Sequence, residues 1–511
     1  MDPLLAPDDI ARLRDALTEG RYTSRSIASR IGPTAVDAVR RGDLRGLLRA
    51  TTDRDRLATL IRLFLAGQTE PVEAVQAALA PLTVETALGA GLIEIYGDGL
   101  RARVDLDVYT GHTGDDWWVL SDLDVDARPG PLRVDHVLGV GNAATTLAGA
   151  TMRTPVATAL DIGTGCGIQA LELGAHAGRV TATDISDRAL RFAATTAALN
   201  GMTWELLPGD MLAPVAGRRF DLVVSNPPFI IGPGSIRYTY RDSGRAGDAV
   251  CAELAGSADA VLTEGGTLQF LANWVHVSGE DWRDRVAGWV AGTGCDAWIV
   301  QREVSDPVEY VNLWLRDASE VGEAGPAGLG RGSAGLADDS ARAQAWLDWF
   351  DAQKIEGVGY GLVTLRRNER ADPLVRAEDL RQSVTPPMGT QIAAWFDRQD
   401  WLAGHPDLLP TALTRAPGLR LTQHADRDGE DWAVQTQVIA QADGLCWAQE
   451  VDPVALAIVS GSDGTVSIRE QLAVLAAAFD TPESVLAAMA TPVVTQLVER
   501  GFLLPDSGPT S

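Results

Sequence analysis

Asn226-Pro227-Pro228-Phe229 closes the apolar run Phe220-Asp221-Leu222-Val223-Val224-Ser225, and its residue types suit one chemistry. The nitrogen of an amide or an aromatic amine is a poor nucleophile because its lone pair is delocalised. An asparagine side-chain oxygen and a backbone carbonyl can each accept one N–H of a planar NH2 group. Accepting both draws density onto the nitrogen and orients it for attack. Two consecutive prolines fix φ and remove competing amide donors. Phe229 offers a ring face against a flat group. Such a site works through positioning and preorganised acceptors, without a strong general base.

Upstream, Ala159-Leu160-Asp161-Ile162 runs into Gly163-Thr164-Gly165-Cys166-Gly167. A buried strand ending in a glycine-rich turn that opens a helix lets the backbone approach a ligand and supplies amide donors. Dinucleotide-binding folds share that turn. Asp161 separates the two cases, because its charge repels a pyrophosphate but suits a zwitterionic ligand with a sulfonium centre. A second strand, Val180-Thr181-Ala182-Thr183-Asp184, followed by Ile185, ends in an acid placed to take both ribose hydroxyls. A third, Leu206-Leu207-Pro208-Gly209-Asp210-Met211, ends in an acid suited to an adenine amino group, with Met211 or Leu212 to pack on the ring. Singly, Asp184 reads equally well as a helix cap, a job Ser186 or Asp187 can also do, and Asp210 as a turn residue. In this order, at successive strand ends, the acids predict a binding crevice.

With these motifs, residues 135–315 resemble the class I, Rossmann-like methyltransferases, in the small-domain group that carries Asn-Pro-Pro-aromatic. The resemblance implies S-adenosylmethionine as the cofactor. It further implies a seven-stranded sheet whose last strand is antiparallel, a place that VGYGLVTLRR can fill. The pre-loop segment DHVLGVGNAATT, above all Gly139–Thr145, is then expected to line the donor's carboxylate end; the alternative is a connector that packs under the sheet. The stretch after the motif, through Tyr240-Arg241-Asp242-Ser243-Gly244-Arg245-Ala246-Gly247-Asp248, resembles the release-factor glutamine methyltransferases. There a glycine pair precedes a helix, and this loop is expected to close over the substrate. Ribosomal guanine enzymes tend to carry His after the aromatic residue; position 230 here is Ile. Phe229 in place of Tyr is a departure from the group, and so is the length of the chain.

The elements that must position these residues follow from periodicity. From 156 onward, apolar strands (VATALDIG, RVTATDIS, FDLVVSNPP, GTLQFLANWV) alternate with helices (IQALELGAHA, RALRFAATTAALNG, DAVCAELAGSADAVLTEG). That alternation predicts an α/β fold with a parallel sheet covered on both faces. Residues 1–110 read as helices followed by a hairpin at Gly97-Asp98-Gly99, either a winged-helix-like N-terminal domain or a helical cap over the next one. The methyltransferase domain is placed at 111–370, with a Gly/Ala/Ser-rich flexible insertion at about 318–340. A polar, proline-bearing stretch (ERADPLVRAEDLRQSVTPP) marks a boundary, and 371–511 reads as a second winged-helix-like domain.

Composition narrows the function classes. The chain has 511 residues, 46% hydrophobic and 22% charged, which suits about three globular domains. Cys166, Cys251, Cys295 and Cys446 form no CxxC pair, so neither a disulfide framework nor a zinc site is expected. His276, His405 and His424 lack ligand spacing, so no metal is expected. The N-terminal MDPLLAPDDI lacks the regions of a signal peptide, and no apolar run approaches the roughly 18 residues of a membrane span. A cytoplasmic protein without a membrane partner is expected. The net charge of −26 repels phosphate backbones at long range. The leading expectation is therefore methylation of a glutamine side-chain amide on a protein, a translation factor or ribosome-associated protein. The second is the exocyclic amine of guanine or adenine in structured ribosomal or transfer RNA, with the base unstacked. Arg12, Arg14, Arg40, Arg41, Arg45 and Arg49 favour that one. The third is a scaffold that binds the cofactor and transfers nothing, against which the set Asp161, Asp184, Asp210 and Asn226 argues.

Overall fold

The computed structural model describes residues 1–39, 41–124, 127–128, 132–234, 244–320, 333–368, 370, 372–428 and 431–505, with side chains described outside 315–339. These fall into two compact units, Met1–Ala148 with Pro155–Arg381 and Gly149–Thr154 with Gln382–Ser511.

The first unit is built on a sheet of eight strands: β1 (Val156–Ile162), β2 (Ala177–Asp184), β3 (Glu205–Pro208), β4 (Phe220–Ser225), β5 (Leu262–Val277), β6 (Cys295–Ser305), β7 (Ile355–Arg367) and β8 (Val375–Asp379). Their spatial order is β8-β6-β7-β5-β4-β1-β2-β3. β7 is antiparallel to both neighbours, and every other pairing in this sheet is parallel. The antiparallel strand is VGYGLVTLRR, as the resemblance implies, although it is not the last strand of the sheet. Helices α1 (Ile168–Gly174), α2 (Asp187–Leu199) and α3 (Ala249–Gly256) follow β1, β2 and β4. β4 is buried almost end to end and β1 over its last four residues, Ala159–Ile162, the pattern of strands covered on both faces. Strand order reverses at β1, which has β2 on one side and β4 on the other. In open α/β sheets that switch point leaves a crevice beyond the carboxyl ends of the strands.

The eighth strand corrects the sequence reading, which takes ERADPLVRAEDLRQSVTPP as a boundary and counts seven strands. β8 pairs with β6 from Ala297↔Val375 to Gln301↔Asp379, and Trp298 donates its indole N–H to Glu378 over 2.7 Å. An edge strand is half solvated, so its polar residues hide it from periodicity.

In the N-terminal part, the helix Pro7–Glu19 buries Ile10, Leu13, Ala16 and Leu17, one stripe at helical spacing. Ile10, Leu13 and Leu17 belong to the same apolar cluster as Phe192 and Leu199 of α2 and Cys166 and Ile168 of the glycine loop. Further helices run into the hairpin Ile93–Tyr96 and Gly99–Ala102, turning at Gly97 with φ +61°. The strand Asp105–Thr110 pairs with Asp116–Ser121. Tyr22 donates to the Leu106 carbonyl over 2.7 Å, and Asn200 at the end of α2 accepts from the Trp118 amide over 3.0 Å. Of the insertion expected at 318–340, residues 321–332 lie outside the described residues. Helices Pro307–Glu320 and Ser333–Ala352 occupy its flanks.

In the second unit, helix Gly389–Gly404 buries Ile392, Trp395 and Phe396. A Cβ on Gly389 would lie 1.9 Å from the Thr151 carbonyl oxygen, so only glycine fits where this helix meets the 149–154 segment. Three short strands pair in the order Asp463–Ser467, Ala412–Arg415, Leu503–Pro505, beside helices Ile468–Ala478 and Glu483–Glu499. The first of those helices carries a reciprocal cap between Ser467 and Glu470.

Candidate active site

The glycine turn after β1 is held by its neighbours. Gly163 and Thr164 both donate to the Thr183 carbonyl at the end of β2, each over 2.9 Å. Gly163, Gly165 and Gly167 have φ of +72°, +54° and +93°, the left-handed region that favours glycine. Nothing lies within 4 Å of a Cβ built on Gly163 or Gly165, so open space faces the backbone there. Gly167 differs: its Cβ would meet the Trp204 ring at 2.8 Å, and its role is to fit the start of α1.

Asp161 sits under this turn, 1% exposed. One carboxylate oxygen accepts from the Thr164 hydroxyl over 2.6 Å. The other is buried with no hydrogen-bond partner among the described residues. Burial pushes its carboxyl up to about 7, with Asp184 adding to the rise and the Thr164 bond opposing it. An acid whose folded pKa exceeds its unfolded value, about 4, costs stability as pH rises. The penalty sets in above the unfolded value and is complete above about 7. Asp161→Asn is thus expected to raise the unfolding midpoint of the ligand-free protein, by more at pH 8 than at pH 5. Scanning calorimetry at the two pH values checks this; a midpoint at pH 8 that stays level or falls refutes it.

Asp184 ends β2. It accepts from the Gly165 amide over 2.9 Å through one oxygen and from the Ser186 amide over 2.8 Å through the other. Burial raises its pKa, and the amide bonds from Ser186 and Gly165 pull against that. The helix-cap reading goes to Ser186, whose hydroxyl accepts from the Ala189 amide over 3.2 Å. Asp184 is left with lone pairs for another donor. The Asp184 carbonyl also accepts from the Gly209 amide over 2.9 Å, which fixes the turn carrying Asp210 and Met211. Met211 has φ +47°. Asp210 is half-exposed and pairs with Arg245 at 3.3 Å, while Arg245 also binds Glu253 at 2.7 Å.

β4 carries the motif to the same place. Ser225 donates to the Ile162 carbonyl over 2.9 Å, tying the end of β4 to the end of β1. The Asn226 side-chain oxygen is buried and has no hydrogen-bond partner among the described residues. A cavity joins the two constellations: Gly163, Thr164, Gly165, Asp184, Ile185, Gly209, Asp210, Met211, Asn226 and Pro228 all line it. Asp161, Gly167 and Pro227 are not among its lining residues. Phe229 is half-buried and packs on the apolar cluster around Phe220, Leu254 and Phe270.

The pre-loop segment forms another wall, through His136, Val137, Leu138, Gly139, Gly141, Ala143 and Ala144. Asp122 positions it, accepting from the Val137 amide over 3.0 Å and from Arg188 Nε over 3.1 Å. Burial lowers the pKa of His136, against the nearby carboxylates of Asp122 and Asp124. Sequence reasoning did not single out Cys166, Ile168, Gln169, Ser186 or Ala189, which also line the cavity. Gln169 carried a readable signal, as a polar residue on the buried face of α1; its amide donates to the Ala144 carbonyl over 2.8 Å.

Beyond the motif, Ile231 donates to the Tyr310 hydroxyl over 2.7 Å. A Cβ on Gly232 would sit 2.3 Å from the Trp346 indole nitrogen, so this exit is packed against the aromatic cluster of Tyr310 and Phe350. Of the loop expected to close over a substrate, residues 235–243 lie outside the described residues. Asp248 anchors its far end, accepting from Arg285 at 2.7 and 2.8 Å and from the Val275 amide at 3.2 Å. Among the described residues no cluster of His, Cys, Asp and Glu could hold a metal ion, and no helix is long and apolar enough to cross a membrane.

Comparison with known proteins locates this geometry. Residues 140–278 match the methyltransferase small domain family. Residues 19–103 and 393–505 match two families described as domains of unknown function. The chain is 38% identical over 122 residues to the release factor glutamine methyltransferase of Deinococcus radiodurans, covering 21% of this chain and 43% of that one. It is 31% identical over 129 residues to the ribosomal RNA small subunit methyltransferase C of Serratia proteamaculans, covering 24% and 36%. It thus spans less than half the length of either relative. A solved structure of a methyltransferase from Pyrococcus furiosus overlaps 44% of this chain and 81% of its own, at 14% identity and a TM-score of 0.26. The segment that carries the glycine turn, the strand-end acids and Asn226-Pro227-Pro228-Phe229, residues 140–278, is the part of the chain that matches the methyltransferase small domain family.

Proposed function

We propose that this chain is an S-adenosylmethionine-dependent N-methyltransferase acting on a planar NH2 group, in the first instance the side-chain amide of a protein glutamine. The observation that carries the reading is the single cavity lined by Asp184, Asp210 and the glycine turn together with Asn226. The residues fit the cofactor: glycines leave room at the turn, and Asp161 and Asn226 each hold a buried oxygen without a hydrogen-bond partner among the described residues. Gly163, Thr164 and Gly165 would pass the methionine portion, Asp184 with Ile185 the ribose, and Asp210 with Met211 the adenine. The bound cofactor supplies an electrophilic methyl group on a sulfonium.

The chain's own residues do the rest. The Asn226 side-chain oxygen and a motif carbonyl accept the two N–H bonds of the acceptor, leaving its lone pair pointing into the cavity. Pro227 and Pro228 hold that backbone and add no donor. Phe229, seated on the core, offers its remaining face to the flat acceptor group. The nitrogen sheds its surplus proton to solvent after transfer, so no general base is required.

Acidic charge and the higher identity to the glutamine enzyme support a protein acceptor, a translation factor or ribosome-associated protein met in the cytoplasm. A base in ribosomal or transfer RNA is the second reading, favoured by the relative that modifies ribosomal RNA; winged-helix-like flanks would serve it. Incubating the protein with methyl-labelled cofactor and cell extract, with and without ribonuclease, tests both. Label is expected in the protein fraction and is expected to survive ribonuclease. Label confined to RNA refutes the leading reading, and no label in either fraction refutes the enzyme.

A further inference from the structure

A short strand in the second unit stops pairing before its neighbour does. β9 (Leu419–Asp428) and β10 (Asp431–Gln441) form a hairpin paired from Leu419↔Gln441 to Asp428↔Asp431, with a register shift between His424 and Ala425. β11 (Ala448–Glu450) covers the other edge of β10 only at Val438–Ala440. The last bond on that side runs from the Val451 amide to the Gln437 carbonyl, 2.9 Å. The chain then turns away, with Asp452 accepting from the Ala455 amide over 2.7 Å to start the helix Pro453–Gly461. From Asp431 to Thr436, β10 pairs on that edge with no strand among the described residues. The open edge borders a cavity of about 680 Å³, lined among others by Val434, Val451, Pro453 and Leu456. Trp432 and Val434 are 72% and 49% exposed.

We propose that this edge docks an extended, basic segment of a protein partner, paired to β10 as an added strand in line with β11. An exposed, unpaired edge beside apolar side chains is a template for strand addition. Beyond β11 the sheet is only two strands wide, and a third strand there adds stability. Six residues of β10 give a partner roughly 20 Å of pairing at about 3.4 Å per residue. Charge selects the occupant. Glu450 and Asp452 stand exposed on the rim, no basic residue lines the cavity, and the chain carries a net charge of −26. These acids attract lysine and arginine and repel a phosphate backbone. The docking surface shares no lining residue with the cofactor cavity, and the proposal does not depend on which group is methylated.

The test titrates the full chain into a fluorescent decapeptide of alternating valine and lysine, read by anisotropy, with hydrogen exchange of the β10 amides. Saturable binding is expected, with slowed exchange over residues 432–436. The same peptide with lysine replaced by glutamate, and one with proline at alternate valines, are each expected to bind at least tenfold more weakly. Glu450→Lys, on an exposed side chain, is expected to weaken the lysine peptide about fivefold with an unchanged circular dichroism spectrum. No binding, indifference to the prolines, unslowed β10 amides, or slowing of the same amides by a poly(U) oligonucleotide in place of the peptide would each overturn the proposal.

Discussion

Asn226→Ala is expected to lower the rate of methyl transfer by about 10²- to 10³-fold while leaving cofactor affinity within threefold of the parent. The size follows from what the side chain is proposed to do. Its oxygen is buried with no partner among the described residues, so it is desolvated and aimed at a donor it does not yet have. Removing one preorganised polar group from the point where charge redistributes costs about 2.7–4 kcal/mol of barrier in comparable sites. Folding is expected to survive, because β4 is tied to β1 through Ser225, not Asn226. Asn226→Asp is a sharper companion. It keeps the shape and the acceptor oxygens and adds a negative charge in the same cavity as Asp184, so it is expected to retain more activity than alanine at low pH and lose it as the new acid ionises. Single-turnover transfer and calorimetric cofactor binding on both variants check this. Alanine activity within tenfold of the parent would remove Asn226 from the acceptor site.

The two halves of this cavity differ in how far the sequence exposes them. The glycine turn and the acids at the ends of β1, β2 and β3 are legible because local rules place them. Glycine adopts the positive φ of the turn, and buried parallel strands read as apolar runs whose last residue falls at the same edge of the sheet. What long-range bonds create stays out of reach of periodicity. The wall from His136 to Ala144 lies where it does because Asp122, on a different element, accepts from Val137. Tyr310, which holds the exit of the motif through Ile231, is 79 residues away from it. β8 and the hairpin of β9 and β10 escape for another reason. Their residues are polar on both faces or half solvated, so neither has the apolar contrast on which strand assignment depends. The helix Ser333–Ala352 begins in a Gly/Ala/Ser-rich stretch, where low apolar contrast again hides regular structure.

Asp184→Asn is expected to weaken cofactor binding by about 100-fold or more, with a smaller effect on the maximal transfer rate at saturating cofactor. The carboxylate already accepts from Gly165 and Ser186, and those amides orient it without exhausting its lone pairs. Hydrogen bonds to charged groups contribute about 1.5–3 kcal/mol each. Two of them to ribose hydroxyls, at about 1.4 kcal/mol per decade, account for the expected loss. An asparagine cannot serve both backbone amides, because its nitrogen is a donor. One of Gly165 and Ser186 therefore loses its acceptor, and the glycine turn loosens. The Gly163 and Thr164 amides still bond the Thr183 carbonyl, so the turn is expected to persist and the unfolding midpoint to fall by only a few degrees, as a ΔΔG of about 1 kcal/mol does in a domain of this size. Calorimetric titration with the cofactor separates the two effects. A loss of affinity with a preserved midpoint assigns Asp184 to the ribose. Affinity within threefold of the parent removes it from the cofactor site, and with it the reading of the strand-end acids as a single crevice.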